Sequence, residues 1–522
     1  MTIRESVNDL MAEFLASEES EVEFLLYDWH QTRIITFYKF KRGNTIMGNK
    51  AYVKGLVVQF ANMAQDAIAF SIYDGQQVID ISYPQFASDI LKAEGYFVKN
   101  NIHRQHVALL APNSYEWVVA FFAISLAGNT VVTINPDLPP DLLEEKLTFT
   151  DVSTICADHN QYKDEIKVDG ITWVTFAELN EFGASEQPFL YDWALDETWI
   201  MVSTSGTTGK SKIIEYSIEN MFSHFFDLEE IFDDYYNRPL VVAPMHHSIG
   251  LFGVLNALYF GFCLCIGRGS LYMMADMPVL NPSYIQTVPA TLESIVKLLK
   301  NAKTDEERQK YIGKNLKRVT TGGAISNPAI CRYLMDMGIV VENGYGMTET
   351  TGAGTWCELS ENNLTTIGKP YGTTQMRIKD GEIQIKSPGV MKGYYKDPEA
   401  TAAIIEDGWL HTGDLGYCDK DGYYYITGKK KNVIILSNGE NVNPEEVEAT
   451  FANCDAIEEC LVYSDGKGIC ADVFTRERDT VAAFIKKYNK SMPMYRQVYK
   501  VNYTEEPLPK TGSGKIKRKE NK

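Results

Sequence analysis

The stretch Ser203–Lys212, STSGTTGKSK, follows directly on the apolar run Ile200–Ser203. A short apolar run of this kind predicts a buried strand, so the loop leaves the end of a strand. Small hydroxyl side chains and two glycines make it flexible and rich in N–H and O–H donors, and Lys210 and Lys212 add positive charge. Such a loop can wrap a polyphosphate. The Walker A pattern G-x-x-x-x-G-K-[ST] is met at Gly209-Lys210-Ser211, but its first glycine falls on Thr204, so that reading fails. Taken alone, the segment could also be a plain Ser/Thr/Gly surface loop.

Outward from this loop the chain alternates. Helices are predicted at Tyr83–Lys99 and Tyr115–Leu126. Strands are predicted at His106–Leu110, Thr130–Ile134, Thr154–Ala157, Leu240–Ala243, Ile285–Val288 and Val319–Thr321. Strands separated by helices argue for an α/β fold with a mostly parallel sheet covered on both faces. The segment Gly250–Gly267 is apolar enough to raise the question of a membrane span, but its glycines and Asn256 favour a buried helix followed by a buried strand. After residue 370 the texture becomes β-rich, with Asp380-Gly381 and Asp421-Gly422 as turns. Beyond Lys429-Lys430-Lys431, helices near Pro444–Phe451 and Thr480–Tyr488 and strands near Glu459–Tyr463 and Ile469–Phe474 predict a small α+β unit.

The chain has 522 residues, 45% of them hydrophobic and 12% aromatic, enough for a sizeable core and too many for intrinsic disorder. A net charge of −19 argues against general binding to nucleic acid or to an anionic membrane, because both need clustered Lys and Arg. The nine cysteines form no CxxC pair, which leaves zinc without support and suits a reducing cytoplasm. Residues 1–50 stand apart. Ile3, Val7, Leu10, Met11, Phe14 and Leu15 share one helical face, and Lys39–Thr45 reads as a linker. Two readings of this extension stay open: a docking helix around Val7–Leu15, or a chain that starts at Met47.

Three segments follow the loop in order: Tyr345-Gly346-Met347-Thr348-Glu349-Thr350, Trp409-Leu410-His411-Thr412-Gly413-Asp414 and Pro509-Lys510-Thr511-Gly512-Ser513-Gly514-Lys515-Ile516. Shorter matches fill the gaps, among them Pro112-Asn113-Ser114, Pro244-Met245-His246-His247, Gly322-Gly323-Ala324 and Gly439-Glu440-Asn441-Val442. Together they resemble the adenylate-forming superfamily of acyl-CoA synthetases, luciferases and peptide-synthetase adenylation domains, over about residues 51–518.

The resemblance implies a large N-terminal adenylating domain over 51–429, with mostly parallel sheets and a β-rich subdomain, and a small mobile C-terminal lid over 432–522. It also implies a reaction. A carboxylate attacks the ATP α-phosphate to give an acyl-AMP and pyrophosphate, and a thiol then displaces AMP. An anion meets an anion in the first step, so catalysis rests on positioning and charge neutralisation. By resemblance, Thr204, Ser205, Gly206, Thr207, Thr208, Gly209 and Lys212 grip the β- and γ-phosphates. Thr348 bonds the α-phosphate, and Glu349 holds Mg2+, a hard ion suited to oxygen donors. Tyr345 stacks on adenine, with Gly323, Ala324 and Gly346 beside the nucleotide. Asp414 accepts from the ribose hydroxyls, Lys429 adds charge near ribose and phosphate, and Lys515 reaches the reacting oxygens. Lys431 falls at the hinge. His247, Gly322 and Gly352 line the acyl pocket.

The sequence departs from the family pattern at three points. The phosphate loop continues Ser211-Lys212-Ile213 where the family has Pro-Lys-Gly. Lys429 replaces an arginine, keeping charge but losing the bidentate fork, and Asn432 replaces a common Asp. No acid follows Pro244, so an α-amino acid, whose buried ammonium needs a counter-charge, is disfavoured. The expected protein is therefore a cytoplasmic ligase using ATP and Mg2+ on a fatty or aryl acid. The acceptor is CoA or the phosphopantetheine of a separate carrier protein. A nucleotide-binding protein without turnover is the reading from another class.

Overall fold

Phe60, Phe70, Phe86 and Phe122 are fully buried, with ring centroids 4.9 to 5.8 Å apart in four of their pairs. Packed this way, they tie three helices, Tyr52–Asn62, Tyr83–Lys99 and Tyr115–Leu126, to the strand Ile68–Tyr73. The structure, a computed structural model, describes residues 52–519 apart from 160–161, 163–165, 183–190, 205–211, 234–235, 324–325, 437–439 and 511–515. The helix and linker expected before residue 51, and Met47, lie outside the described residues.

The chain forms two compact units. One runs to Asn362 and takes in Tyr371–Thr374 and Ser387–Ala403; the other holds Asn363–Pro370, Gln375–Lys386 and the chain from Ile404.

In the first unit, one seven-stranded sheet has the order Gly393–Tyr394, Ile213–Ser217, Thr198–Ser203, Thr130–Ile134, His106–Leu110, Val152–Ala157, Thr172–Thr175. From Thr198–Ser203 to Thr172–Thr175 the pairs are parallel, while Ile213–Ser217 returns antiparallel. This return is the geometry that makes the phosphate-loop candidate a strand-to-strand connection. In a second sheet, Val340–Gly346, Arg318–Gly322, Tyr284–Thr287, Pro239–Leu240, Leu264–Ile266 and Ile68–Tyr73 are parallel neighbours, with Gly354–Glu358 antiparallel beyond Val340–Gly346. The helix Tyr115–Leu126 is capped by Ser114, whose hydroxyl accepts from Trp117 N at 3.1 Å, and every residue from Trp117 to Leu126 is buried. Apolar residues all round a helix place it inside the fold.

The segment Gly250–Gly267 resolves as expected into a helix, Ser248–Tyr259, and a strand, Leu264–Ile266. Among the described residues no helix is long and apolar enough to cross a membrane. The strand expected at Leu240–Ala243 is shorter. It spans Pro239–Leu240, because Ala243 and Met245 turn to bond the Asn113 side chain.

The second unit carries a five-stranded antiparallel sheet, in which Trp409–Cys418 pairs with Glu382–Lys386, Ile405–Glu406 and Tyr424–Lys429. Further along, Glu459–Ser464, Ile469–Phe474 and Val498–Thr504 form a three-stranded sheet. Its core joins Val462, Ile469, Val473 and Val498 to Val447 and Phe451 of one helix and Val481, Ile485 and Tyr488 of another.

Candidate active site

The ends of the phosphate-loop candidate are clamped together. Thr204 N donates to Lys212 O at 2.9 Å, and Lys212 N donates to Thr204 Oγ1 at 3.1 Å. Ser205, Gly206, Thr207, Thr208 and Gly209 lie outside the described residues. At the loop's foot, Lys146 Nζ donates to Ser203 Oγ at 2.8 Å. Burial lowers the Lys146 pKa from its ordinary value. The Lys212 ammonium stands 4.3 Å above the centre of the Tyr394 ring, and Tyr394 OH donates to Glu349 Oε1 at 2.8 Å. One aromatic residue thus joins the loop's lysine to the expected metal-binding carboxylate. Tyr394 escapes sequence reasoning because its place depends on a two-residue strand, Gly393–Tyr394, pairing with Ile213–Ser217. Lys146, on the helix Pro140–Phe149, carries no motif either.

Thr348 and Glu349 sit on a short 3-10 turn, Thr348–Thr350, at the end of the strand Val340–Gly346. Tyr216 OH donates to Thr348 O at 2.6 Å, and Met391 N donates to Glu349 O at 2.8 Å. Thr348 Oγ1 lies 3.2 Å from Ser248 Oγ, at the first residue of the helix Ser248–Tyr259. The strand reaches this point because its neighbours are glycines: a Cβ on Gly346 would sit 2.3 Å from Gly352 O, and one on Gly354 2.1 Å from Tyr345 O. Tyr345 is half-buried on this strand, opposite Thr355. Gly322 ends the next strand, and Gly323 and Gly352 adopt φ of +74° and +79°. Ala324 lies outside the described residues.

His247 caps the helix Ser248–Tyr259 in extended conformation, its ring 4.5 Å from that of His246. Burial, then the charge of Lys146, lowers the His247 pKa. Burial, then His247 and Lys146, pushes His246 down to about 3. Both rings are therefore neutral near pH 7. Asn113 fixes the preceding segment, donating to Ala243 O at 2.9 Å and accepting from Met245 N at 2.7 Å.

In the second unit, buried Asp414 faces Lys429 across the strand pair, and Lys429 Nζ donates to Asp414 Oδ1. Thr412 Oγ1 accepts from Asp414 N at 3.0 Å and donates to Ile383 O at 2.7 Å, fixing the backbone on both sides. Burial raises the Glu382 pKa, but Lys430, the Gly413 N–H and His411 outweigh it and hold the carboxyl below its ordinary value. Lys431 is exposed on the short 3-10 turn Lys430–Asn432. Lys515 lies outside the described residues.

Glu349 is a half-buried carboxylate whose Oε1 accepts from Tyr394. Among the described residues no cluster of three His, Cys, Asp or Glu side chains could cage a metal ion. A single carboxylate such as Glu349 is the kind of donor Mg2+ takes, since that ion usually binds through one or two carboxylates with substrate phosphates and water.

A family model described as AMP-binding enzyme matches residues 57–395, and one described as AMP-binding enzyme C-terminal domain matches 431–522. A 2-succinylbenzoate–CoA ligase of Bacillus cereus (strain Q1) is 27% identical over 489 residues, covering 89% of this chain and 97% of its own length. Among solved structures, O-succinylbenzoate coenzyme A synthetase (MenE) from Bacillus subtilis in complex with AMP matches with a TM-score of 0.76 at 23% identity, covering 89% of this chain and 97% of that one. The same enzyme in complex with ATP and magnesium ion gives 0.74 at 24% identity, covering 89% and 98%. These structures share the fold expected from the sequence, a large α/β N-terminal domain with a smaller C-terminal one. With its family model spanning 57–395, the chain belongs to the AMP-binding enzyme family, within the adenylate-forming superfamily that its motifs resemble.

Proposed function

We propose that the protein is an ATP- and Mg2+-dependent acid–thiol ligase. A fatty or aryl carboxylate attacks the α-phosphate, expelling pyrophosphate, and the thiol of CoA then attacks the acyl carbon of the acyl-AMP and releases AMP. The observation that carries this reading is a set of three contacts, Lys212 with Tyr394, Tyr394 with Glu349 and Ser248 with Thr348, which meet at the adjacent residues Thr348 and Glu349. It brings a phosphate-loop lysine, a carboxylate and two hydroxyls together at a strand start, a short 3-10 turn and a helix start, which suits a reaction governed by positioning. Mg2+ bound through Glu349 would supply charge neutralisation at the phosphates. Ser248 and Tyr216 orient Thr348, and Tyr394 orients Glu349. The neutral His247 at the head of its helix suits an uncharged acyl group. Asp414 is the ribose acceptor in this reading, Lys515 the neutralising cation, Lys431 the hinge, and 51–429 and 432–522 the working domains. The relatives named 2-succinylbenzoate–CoA ligase favour CoA as acceptor and an aryl acid over a fatty one. Nine free cysteines support a cytoplasmic setting.

Acid-dependent ATP–pyrophosphate exchange over fatty, aryl and amino acids tests this. Exchange with an aryl or fatty acid, followed by thioester formation with CoA, is the expected result. ATP binding with no exchange for any acid would leave a nucleotide-binding protein without turnover. Thioester only on a pantetheinylated carrier would make it a carrier-loading ligase.

A further inference from the structure

Three of the nine cysteines reach solvent, Cys418 exposed and Cys263 and Cys460 partly so; the other six are buried. The surroundings of the three differ. Burial, then Glu448 and Asp472, push the Cys460 thiol up against the charge of Arg518. Cys418 Sγ donates to Asp419 O at 3.5 Å. Cys263 instead meets a cation: Arg238 Nη1 donates to its sulfur at 3.1 Å. None of these thiols has a part in the ligase reading.

The sheet holds the Cys263–Arg238 pair in place. Cys263 N donates to Asn237 O at 2.8 Å and Val241 N to Cys265 O at 3.0 Å, so the chain entering Leu264–Ile266 runs beside the chain entering Pro239–Leu240. Arg238 N donates to Ser283 Oγ at 3.1 Å and its Nε to Leu280 O at 2.9 Å, which fixes the fork with Nη1 on the sulfur. Arg238 is half-buried, and among the described residues no carboxylate pairs with its guanidinium. A guanidinium is always charged, and drawn out of water without a counter-anion it costs stability. A thiolate at Cys263 is the counter-anion within reach.

Three further groups face that sulfur. Ser71 Oγ lies 3.5 Å from it and donates to Asp80 Oδ1 at 2.5 Å, so one hydroxyl touches both the carboxylate and the sulfur. Cys265, two residues on, is buried. A hydrogen bond from Cys265, with the Ser71 hydroxyl and the Arg238 charge, outweighs burial and Asp80 and holds the Cys263 thiol below its ordinary value. The same bond, then burial, pushes Cys265 well up, so Cys263 is the member of the pair that ionises. Acidic, accessible thiols are the ones that peroxide oxidises.

We propose that Cys263, ionised against Arg238, is a site of reversible oxidation by hydrogen peroxide. The thiolate sulfur attacks one peroxide oxygen, an S–O bond forms, the O–O bond breaks and hydroxide leaves. Sulfur is oxidised to a sulfenic acid and peroxide is reduced; a thiol reductant reverses the change. The test treats the full chain with substoichiometric hydrogen peroxide at pH 6, blocks the remaining thiols in denaturant, reduces with dithiothreitol and labels the thiols released, read by mass spectrometry at every cysteine. Cys263 should oxidise faster than Cys418 and Cys460 by about fivefold or more, since its larger thiolate fraction outweighs the lower nucleophilicity of a more acidic thiol. Arg238→Leu should slow Cys263 by about threefold or more, and Arg238→Lys, which keeps the charge, by less. Continued protection of buried Cys156 and Cys357 from alkylation shows that a variant has folded. Cys418 or Cys460 keeping pace with Cys263, or a Cys263 rate indifferent to Arg238→Leu in the folded variant, overturns the proposal. Wild type alone gives a second readout, which decides if Arg238→Leu does not fold. Iodoacetamide labelling of native Cys263 against pH should have its midpoint below the ordinary thiol value of about 8.5; a midpoint at or above it overturns the proposal.

Discussion

Glu349 is fixed from both sides, its carboxylate by Tyr394 and its backbone carbonyl by Met391 N. Glu349→Gln keeps the shape and removes the charge that suits a divalent ion. We expect exchange to fall by about a hundredfold or more and its Mg2+ requirement to shift upward, while Tyr394→Phe, which only frees the carboxylate, costs less. A Mg2+ titration of exchange in both variants checks this; an unshifted titration in Glu349→Gln removes the metal role. His246 makes a pH prediction. Its folded pKa is about 3 against an ordinary value of 6.5, so between those values the unfolded chain binds the extra proton. Stability from this residue is complete above 6.5 and is lost as pH falls towards 3. Relative to His246→Asn, wild type should lose up to about 1.4 kcal/mol more per pH unit between pH 6 and 4, read from urea midpoints. Glu349 was legible in the sequence because it sits in a contiguous motif. Tyr394 and Lys146 were not, because their partners are distant in sequence and only the sheet brings them together.

At the scale of the element, the helix Ser248–Tyr259 shows how two glycines differ. A Cβ on Gly250 would meet Pro244 O at 2.1 Å and Ala243 O at 2.8 Å, both backbone atoms of a segment that Asn113 holds in place. A Cβ on Gly253 meets only Gln286 Oε1, at 3.6 Å, an ordinary contact. Gly250→Ala should therefore destabilise by about 1–3 kcal/mol through overpacking and raise KM for the acid by shifting Ser248 from Thr348. Gly253→Ala should stabilise by about 0.5–1 kcal/mol, the helix gain of alanine over glycine. Equal effects in urea denaturation would contradict the close-approach argument. Helix reading from sequence works where periodicity and caps agree: Tyr83–Lys99, capped by Ser82, and Tyr115–Leu126, capped by Ser114, have the boundaries expected. The strand Val340–Gly346 runs well past its apolar start. Its last residues, Asn343-Gly344-Tyr345-Gly346, read as a loop by composition. They pair because glycines let Gly354–Glu358 approach closely, a tertiary effect that overrides strand propensity.

For the whole molecule, the alternation of strands and helices was enough to announce a parallel α/β sheet, and the ordered motifs announced the family. The net charge of −19 announced nothing about the ligand. What the sequence left open is which charges serve which half-reaction. If the two half-reactions draw on different charges, they should separate by mutation. Lys515 is the proposed cation for adenylation, where an anion must approach the α-phosphate. Thiolation starts from a neutral acyl carbon and expels AMP, so it needs that cation far less. Lys515→Ala should therefore lower acid-dependent ATP–pyrophosphate exchange by about a thousandfold, within the range for losing a transition-state charge partner. Thioester formation from supplied acyl-AMP and CoA should stay within several-fold of wild type. Measured side by side on one preparation, equal losses in both assays would point to general damage and reject the role. Exchange near wild type would reject it more directly, moving the neutralising charge to Lys212 or Lys429.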